Sequence, residues 1–209
     1  VRLNVIFPID LAKAAESLGV RVIQVATDCV FSGQAGQYTE TSSHDARDAY
    51  GKTKSLGEVV SNNVMHLRCS LVGPESNGRN TLFFEWVRQS PRKAVLGGYV
   101  NHKWNGLTSR AFGQIVAGIV TSGTFTPGLQ HLVPSDSVTK HELVKLELDL
   151  LGRTDITLEA TEADEQIDRT LSTVQVDANR SLFKLAGFSG LPTIREMMEG
   201  LPWEQLKLR

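Results

Sequence analysis

The run Val22-Ile-Gln-Val-Ala26 constrains this chain more than any other stretch, because of what brackets it. Gly19 stands before it and polar residues follow, so the run reads as a buried parallel strand of an α/β sheet. Thr27 and Asp28 then fall at the strand's C-terminal end, where open α/β sheets bind ligands because the strand ends and the following loops form a crevice. After a polar loop, Asp48-Ala-Tyr-Gly-Lys-Thr-Lys54 opens a helix on which Tyr50 and Lys54 stand four apart and share one face.

That spacing suits proton transfer. A free tyrosine ionises near pH ~10 and is a poor acid-base group at neutral pH unless its phenolate is stabilised. An ammonium one helical turn away is expected to lower the phenol pKa. The Thr27 hydroxyl can hold a substrate oxygen within reach of the phenol, so the three residues make a site that gives a proton to a carbonyl as hydride arrives. A second pair, Tyr99 and Lys103, has the same spacing but follows Gly97-Gly98 and precedes Trp104-Asn105-Gly106. No helix should align it, and the match reads as chance.

Around this stretch helix and strand patterns alternate. Val5 to Leu18 carries helical periodicity with Pro8 in its first turn and Gly19 as its stop. The Tyr50 helix is expected from Ala49 to Val60, followed by a buried strand from Val64 to Val72. Arg68 lies inside that apolar strand and needs a partner, either an ion pair or backbone carbonyls. Further elements are expected as a helix from Thr81 to Ser90, a strand from Val95 to Val100, a polar loop from Asn101 to Gly106 around Trp104, and a helix from Ser109 to Val120. Gly128 to Pro134 reads as a short strand. Ser137 or Thr139 then caps a helix ending at Leu151, with Glu142 placed to close a capping box on Thr139. A strand from Ile156 to Ala160 and two short helices within Asn179 to Arg209 complete the reading.

Composition narrows the function by exclusion. With 22 basic and 23 acidic residues, there is no electrostatic case for nucleic acid or an anionic membrane. No run approaches the ~18 apolar residues of a membrane span, and the N-terminus shows no basic-then-apolar signal segment, so the cytoplasm is the expected compartment. Cys29 and Cys69 are expected to be buried and reduced, since their spacing gives no C-x-x-C or metal signature. The five histidines are scattered, and no metal site is expected.

Three motifs carry a family likeness. Ala26-Thr-Asp-Cys-Val-Phe-Ser-Gly33 resembles the S-T-D-Y-V-F-D-G of the dTDP-4-dehydrorhamnose reductase-like group in the extended short-chain dehydrogenase/reductase superfamily. Tyr38-Thr-Glu40 and Tyr50-Gly-Lys-Thr-Lys-Ser-Leu-Gly-Glu58 extend the resemblance. It implies the C-terminal part of a Rossmann-like doubly wound parallel sheet plus a smaller α/β substrate-binding domain. Residues 1–75 would form the partial Rossmann-like domain, and 76–209 mainly the substrate domain, with segments returning to the core. The activity implied is NAD(P)-dependent reduction of a keto group on a nucleotide-linked deoxysugar, or epimerisation, with NADP or NAD as cofactor.

In that likeness Thr27, Tyr50 and Lys54 are catalytic. Tyr50, Lys54, Arg68 and Ser70 touch the cofactor, while Asp28, Val30, Phe31, Trp104 and Arg169 touch the nucleotide sugar. Arg169, within Asp168-Arg-Thr-Leu-Ser172, would suit phosphate oxygens, with a surface salt bridge as the plain alternative. The chain departs from the pattern at Cys29, where an aromatic residue is usual, and at Leu71, where rhamnose-type reductases often carry tryptophan. It also has no G-x-G-x-x-G turn, the element that holds a dinucleotide pyrophosphate on a helix N-terminus. The expectation is therefore a fragment or truncated form that hides an open sheet edge by forming a homodimer. The alternative is a non-catalytic binding or regulatory subunit of the same fold.

Overall fold

The structure, a computed structural model, describes residues 1–75 and 82–206. A π-helical turn, Arg2–Ile6, leads into α1, Phe7–Leu18, which stops at Gly19 in the left-handed conformation (φ 64°). Then come β1 (Val22–Ala26), α2 (Ala49–Leu56), β2 (Val64–Arg68), β3 (Leu71–Val72) and α3 (Phe83–Arg88). The middle of the chain gives β4 (Val95–Tyr99), β5 (His102–Trp104), β6 (Leu107–Thr108), α4 (Ser109–Ser122) and β7 (Gly128–His131). It closes with β8 (Val138–Thr139), α5 (Lys140–Leu151), β9 (Thr157–Thr161), β10 (Ile167–Asp168), α6 (Val176–Leu185), α7 (Ile194–Glu199) and α8 (Trp203–Leu206).

The central sheet has the order β1-β2-β7 and is parallel throughout, with Ala26 beside Arg68 and Arg68 beside His131. β7 thus returns from the second half of the chain to the sheet begun by the first. Three smaller sheets lie beyond it: β10-β5-β8, β3-β6 and β4-β9. This is the α/β architecture with parallel sheets that the alternating pattern implies.

One core ties these layers together. Met65 and Leu67 of β2, Ala111, Ile115 and Ile119 of α4, Leu143 and Leu146 of α5, and Phe183 of α6 belong to a single buried cluster. Each fully buried large apolar side chain contributes about 1.5–3 kcal/mol, so this cluster fixes the sheet ends against the second half. The helix starts follow local chemistry. Thr139 accepts from the Glu142 amide while Glu142 returns a bond to the Thr139 amide, the expected capping box, and α5 stops at Gly152 in the left-handed region.

Several elements differ from the sequence reading by more than a residue or two. α2 stops at Leu56, not Val60, because Gly57 lies against the Asn4 carbonyl, where a β-carbon would come within 1.9 Å, and its own carbonyl accepts from Gln24. The strand expected from Val64 to Val72 breaks after Arg68, since β2 belongs to the central sheet and β3 pairs with β6. Residues 102–104 are strand and not loop, because Lys103 and Trp104 pair with Thr139 and Val138 on one side and Lys103 with Asp168 on the other. The C-terminal segment holds three short helices. The proposed start of a helix at Thr81 lies outside the described residues.

Candidate active site

The site grows from the end of β1. Thr27 is extended, its hydroxyl accepts from the Cys29 amide at 3.2 Å, and a single turn of 3-10 helix follows over Asp28–Val30. The same hydroxyl donates to Asp28 Oδ1 at 3.2 Å. α2 is set beside this turn by its N-cap: Asp48 accepts from the Gly51 amide at 2.8 Å. Gly51 lets the helix approach closely, because a β-carbon there would come within 2.1 Å of the Cys29 carbonyl. This contact is the physical reason for a glycine between Tyr50 and Lys52.

The helix therefore delivers Tyr50 to Thr27. Tyr50 is 52% exposed, and the Thr27 hydroxyl lies close enough to stabilise its phenolate by hydrogen bonding. The net shift corrects one expectation. Desolvation, then the neighbouring Cys29, with Asp28 and Asp48, raise the Tyr50 phenol above its ordinary value despite the Thr27 bond. Lys54 does not produce the expected lowering. Its ammonium is turned to the strand edge, donating to the Val25 carbonyl at 2.9 Å.

Asp28 is 7% exposed, and burial raises its carboxyl pKa against the pull of Arg169, Thr27 and Lys140. Arg169, half-buried, donates from Nε to the Phe31 carbonyl at 2.9 Å and from a terminal nitrogen to Cys29 Sγ at 3.9 Å. Thus Thr27, Asp28, Tyr50 and Arg169 meet at one place. Cys29 is half-buried there and Cys69 is buried, both as free thiols.

Other expected contact residues are turned inward. Val30 and Phe31 have no exposed surface, and the Phe31 ring stacks on Tyr38 with centroids 4.2 Å apart. Trp104 is 5% exposed and belongs to the main core, because β5 is paired on both sides. Arg68 is likewise fully buried, within an internal network. It pairs with Glu58, donates to His44 Nε2 at 2.8 Å and His131 Nε2 at 2.9 Å, and lies 5.1 Å from the centre of the Phe31 ring. Ser70 is half-buried, its carbonyl accepting from Leu107 at 2.9 Å.

Burial and Arg68 push the His131 imidazole down to about 4, so it stays neutral, its Nδ1–H donating to the Ser172 carbonyl at 2.8 Å. Glu40, from the Tyr38-Thr-Glu40 motif, accepts from the His131 amide at 3.1 Å and the Val174 amide at 3.0 Å. The motif is a clasp between β7 and the segment after β10. Sequence reasoning missed Lys140, which heads α5 with its Nζ 5.0 Å from the Phe83 ring centre and 5.4 Å from that of Trp104. A signal was present: a lysine in a helix's first turn opposes the helix dipole. The second Tyr-x-x-x-Lys is structural. Tyr99 ends β4 with its ring tilted against that of His102, centroids 4.7 Å apart, and Lys103 pairs with Asp168 at 3.6 Å.

The RmlD substrate binding domain model matches residues 1–172. The chain belongs to that family. Among solved structures, a dTDP-4-dehydrorhamnose reductase from Clostridium acetobutylicum superposes with a TM-score of 0.71 at 20% identity, over 94% of this chain and 70% of that one. The Bacillus anthracis dTDP-4-dehydrorhamnose reductase in complex with NADP gives 0.71 at 18%, with the same coverage. These likenesses establish the Rossmann-like fold. In sequence, methionine adenosyltransferase 2 subunit beta of Xenopus tropicalis is 43% identical over 63 residues, 29% of this chain and 19% of that protein. The match thus spans about a fifth of that relative's length.

Within this RmlD-type fold, a nicotinamide dinucleotide meets a partial fit. Thr27, Tyr50 and Lys54 suit its reacting end, and β1, which among the described residues pairs only with β2, leaves its other edge open there beside Lys54. The sequence contains no glycine-rich turn for the pyrophosphate. Among the described residues no group of three or more His, Cys, Asp or Glu side chains is placed to hold a metal, and no helix is long and apolar enough to cross a membrane.

Proposed function

We propose that this chain carries the proton-transfer and substrate side of an NAD(P)-dependent reductase acting on a keto group of a nucleotide-linked sugar. The observation that carries the reading is the seating of α2, through Gly51 on the Cys29 carbonyl, which brings Tyr50 beside Thr27 and Asp28 at the C-terminal end of β1. NADPH or NADH supplies hydride when bound. Thr27 holds the carbonyl oxygen, and Tyr50 gives that oxygen its proton. The elevated phenol pKa keeps Tyr50 protonated at neutral pH, the state a donor needs. Lys54, once released from Val25, is long enough to serve the ribose of the cofactor; until then it occupies the strand edge. Asp28 and Arg169 face the bound sugar nucleotide.

The test is NADPH oxidation with dTDP-4-dehydrorhamnose, followed by absorbance, alongside fluorescence titration of NADPH and NADH. Tyr50→Phe should reduce turnover about 10²–10⁴-fold, the usual worth of a positioned acid, and spare cofactor affinity. Substantial turnover in Y50F sinks the assignment.

A second reading rests on two observations: the 43% identity to a protein named as a subunit, and the tie of Lys54 to the β1 edge in place of the tyrosine. On that reading the chain is a binding subunit that works through a protein partner. Stable co-purification with a partner, together with no NADPH binding by folded protein, favours it.

A further inference from the structure

Lys140 is the one residue at the site whose charge no neighbour among the described residues takes up in a hydrogen bond or ion pair. It is held in place all the same. The rings of Phe83 and Trp104 flank its ammonium at 5.0 and 5.4 Å, which fixes a cation by ring quadrupole attraction without neutralising it. Its position at the start of α5 adds a small electrostatic cost, since the helix N-terminus is itself positive. A lysine so placed is pinned and left open.

The charges around it do not balance. Lys140 and Arg169 both act on Asp28, while Arg169 and Lys140 repel each other. Two cations thus face one carboxylate, and burial works against the charge of Asp28 and of Lys140 alike, so a second anion would relieve both cations. Asp48, the next acid, is engaged at the N-cap of α2. The surplus is positive, and it lies at the reacting end: Asp28 and Cys29 are the neighbours that Lys140 and Tyr50 share.

Sugar chemistry then restricts the ligand. In a hexopyranose the carbon beside C4 on the side away from the substituents at C2 and C3 is C5, which carries C6, whereas the nucleotide diphosphate hangs from C1 across the ring. A cation sharing neighbours with the acid that serves a C4 carbonyl lies near C3 or C5, and of the groups those carbons carry C6 is the one that can be a carboxylate. We propose that Lys140 is a specificity residue that binds a carboxylate at C6, so that the preferred substrate class is a nucleotide-linked uronic acid rather than a 6-deoxysugar. The inference rests on the reductase reading above. A methyl group at C6 leaves Lys140 facing an apolar surface with no counter-charge.

The experiment is isothermal titration of the chain with UDP-glucuronate against UDP-glucose, and with the thymidine diphosphate versions of the same two sugars. Wild type should bind the uronate at least tenfold tighter within the series that binds. Lys140→Met should bring the ratio to within twofold, chiefly by weakening the uronate, and Lys140→Arg should keep most of it. A wild-type ratio near one overturns the proposal without need of any variant. So does an unchanged ratio in K140M, and so does equal weakening of both sugars, which would assign Lys140 to the diphosphate. If folded wild type binds neither series, the nucleotide-sugar reading itself fails and this one falls with it.

Discussion

Arg68 and Glu147 both have no exposed surface, and the molecule treats them in opposite ways. Around Arg68 the chain gathers Glu58, His44 and His131 from three separate places, with the Phe31 ring over the guanidinium. Around Glu147, on α5, neither carboxyl oxygen has a hydrogen-bond partner. The difference follows from what each side chain can give up. Arginine does not shed its proton inside a protein, so a buried one must be surrounded by acceptors. A carboxyl can take a proton instead. Burial raises Glu147 to about 9, nearby Glu85 adds to the shift, and Arg88 opposes it. The first arrangement holds the loop that carries the site, through Phe31 and Arg169; the second lies between α5 and α3, near Glu85 and Arg88.

Removing the arginine tests the larger half of this contrast. Arg68→Met should cost about 3–5 kcal/mol, because it leaves Glu58 in the interior without its cation. Urea unfolding reads the loss directly. It should also loosen residues 31–45, seen as faster amide exchange there. A loss under about 1 kcal/mol would place the network with exposed ion pairs and break the comparison.

The same logic gives Glu147→Leu the opposite sign. A leucine of similar volume removes a carboxyl that has no partner, and should raise stability by about 1–3 kcal/mol at neutral pH. Destabilisation would mean that Glu147 has a partner in solution.

Acid and base should sharpen the contrast further. The unfolded carboxyl loses its proton near 4.5 and the folded one near 9. Between those values the folded state binds more protons, so stability is full below the window and falls as pH rises through it, by at most about 1.4 kcal/mol per unit. Glu147→Gln should flatten that slope. His131 works on the other flank. Its folded value of about 4 lies below the free value of 6.5, so its contribution is present above 6.5 and is lost as pH falls towards 4.

These two groups also show what the sequence displays and what it conceals. That Arg68 needs a partner follows from an arginine inside an apolar strand. Which partners serve it does not, since residues 44, 58 and 131 become neighbours only once β1, β2 and β7 align. Local chemistry was legible: the strand Val22–Ala26, the Asp48 N-cap and the Thr139–Glu142 capping box depend on residues close in sequence. Tertiary competition was not. Val30, Phe31 and Trp104 resemble ligand contacts by motif and fold inward, because a stacked pair and a doubly paired strand enclose them. Lys54 reads as the partner of Tyr50 from spacing alone, yet an open strand edge offers it a carbonyl. Tyr99 and Lys103 show that the spacing has meaning only on a helix.

The smallest effect is expected at the rim of the Arg68 network. His44 accepts from Arg68 through Nε2 and reaches Ser55 Oγ at 2.7 Å through Nδ1, but its side chain keeps 27% of its exposure. Burial and then Arg68 lower its pKa, partly offset by Glu58 and Asp45, so it sits neutral beside the guanidinium. Water can replace it on the open side. His44→Ala should therefore cost only about 0.5–1.5 kcal/mol, well below Arg68→Met, with the double variant R68M/H44A close to R68M alone. Such non-additivity is what residues of one network show. Additive losses would mean that His44 stabilises the loop through Ser55 and not through the arginine, and that the partners around Arg68 act separately.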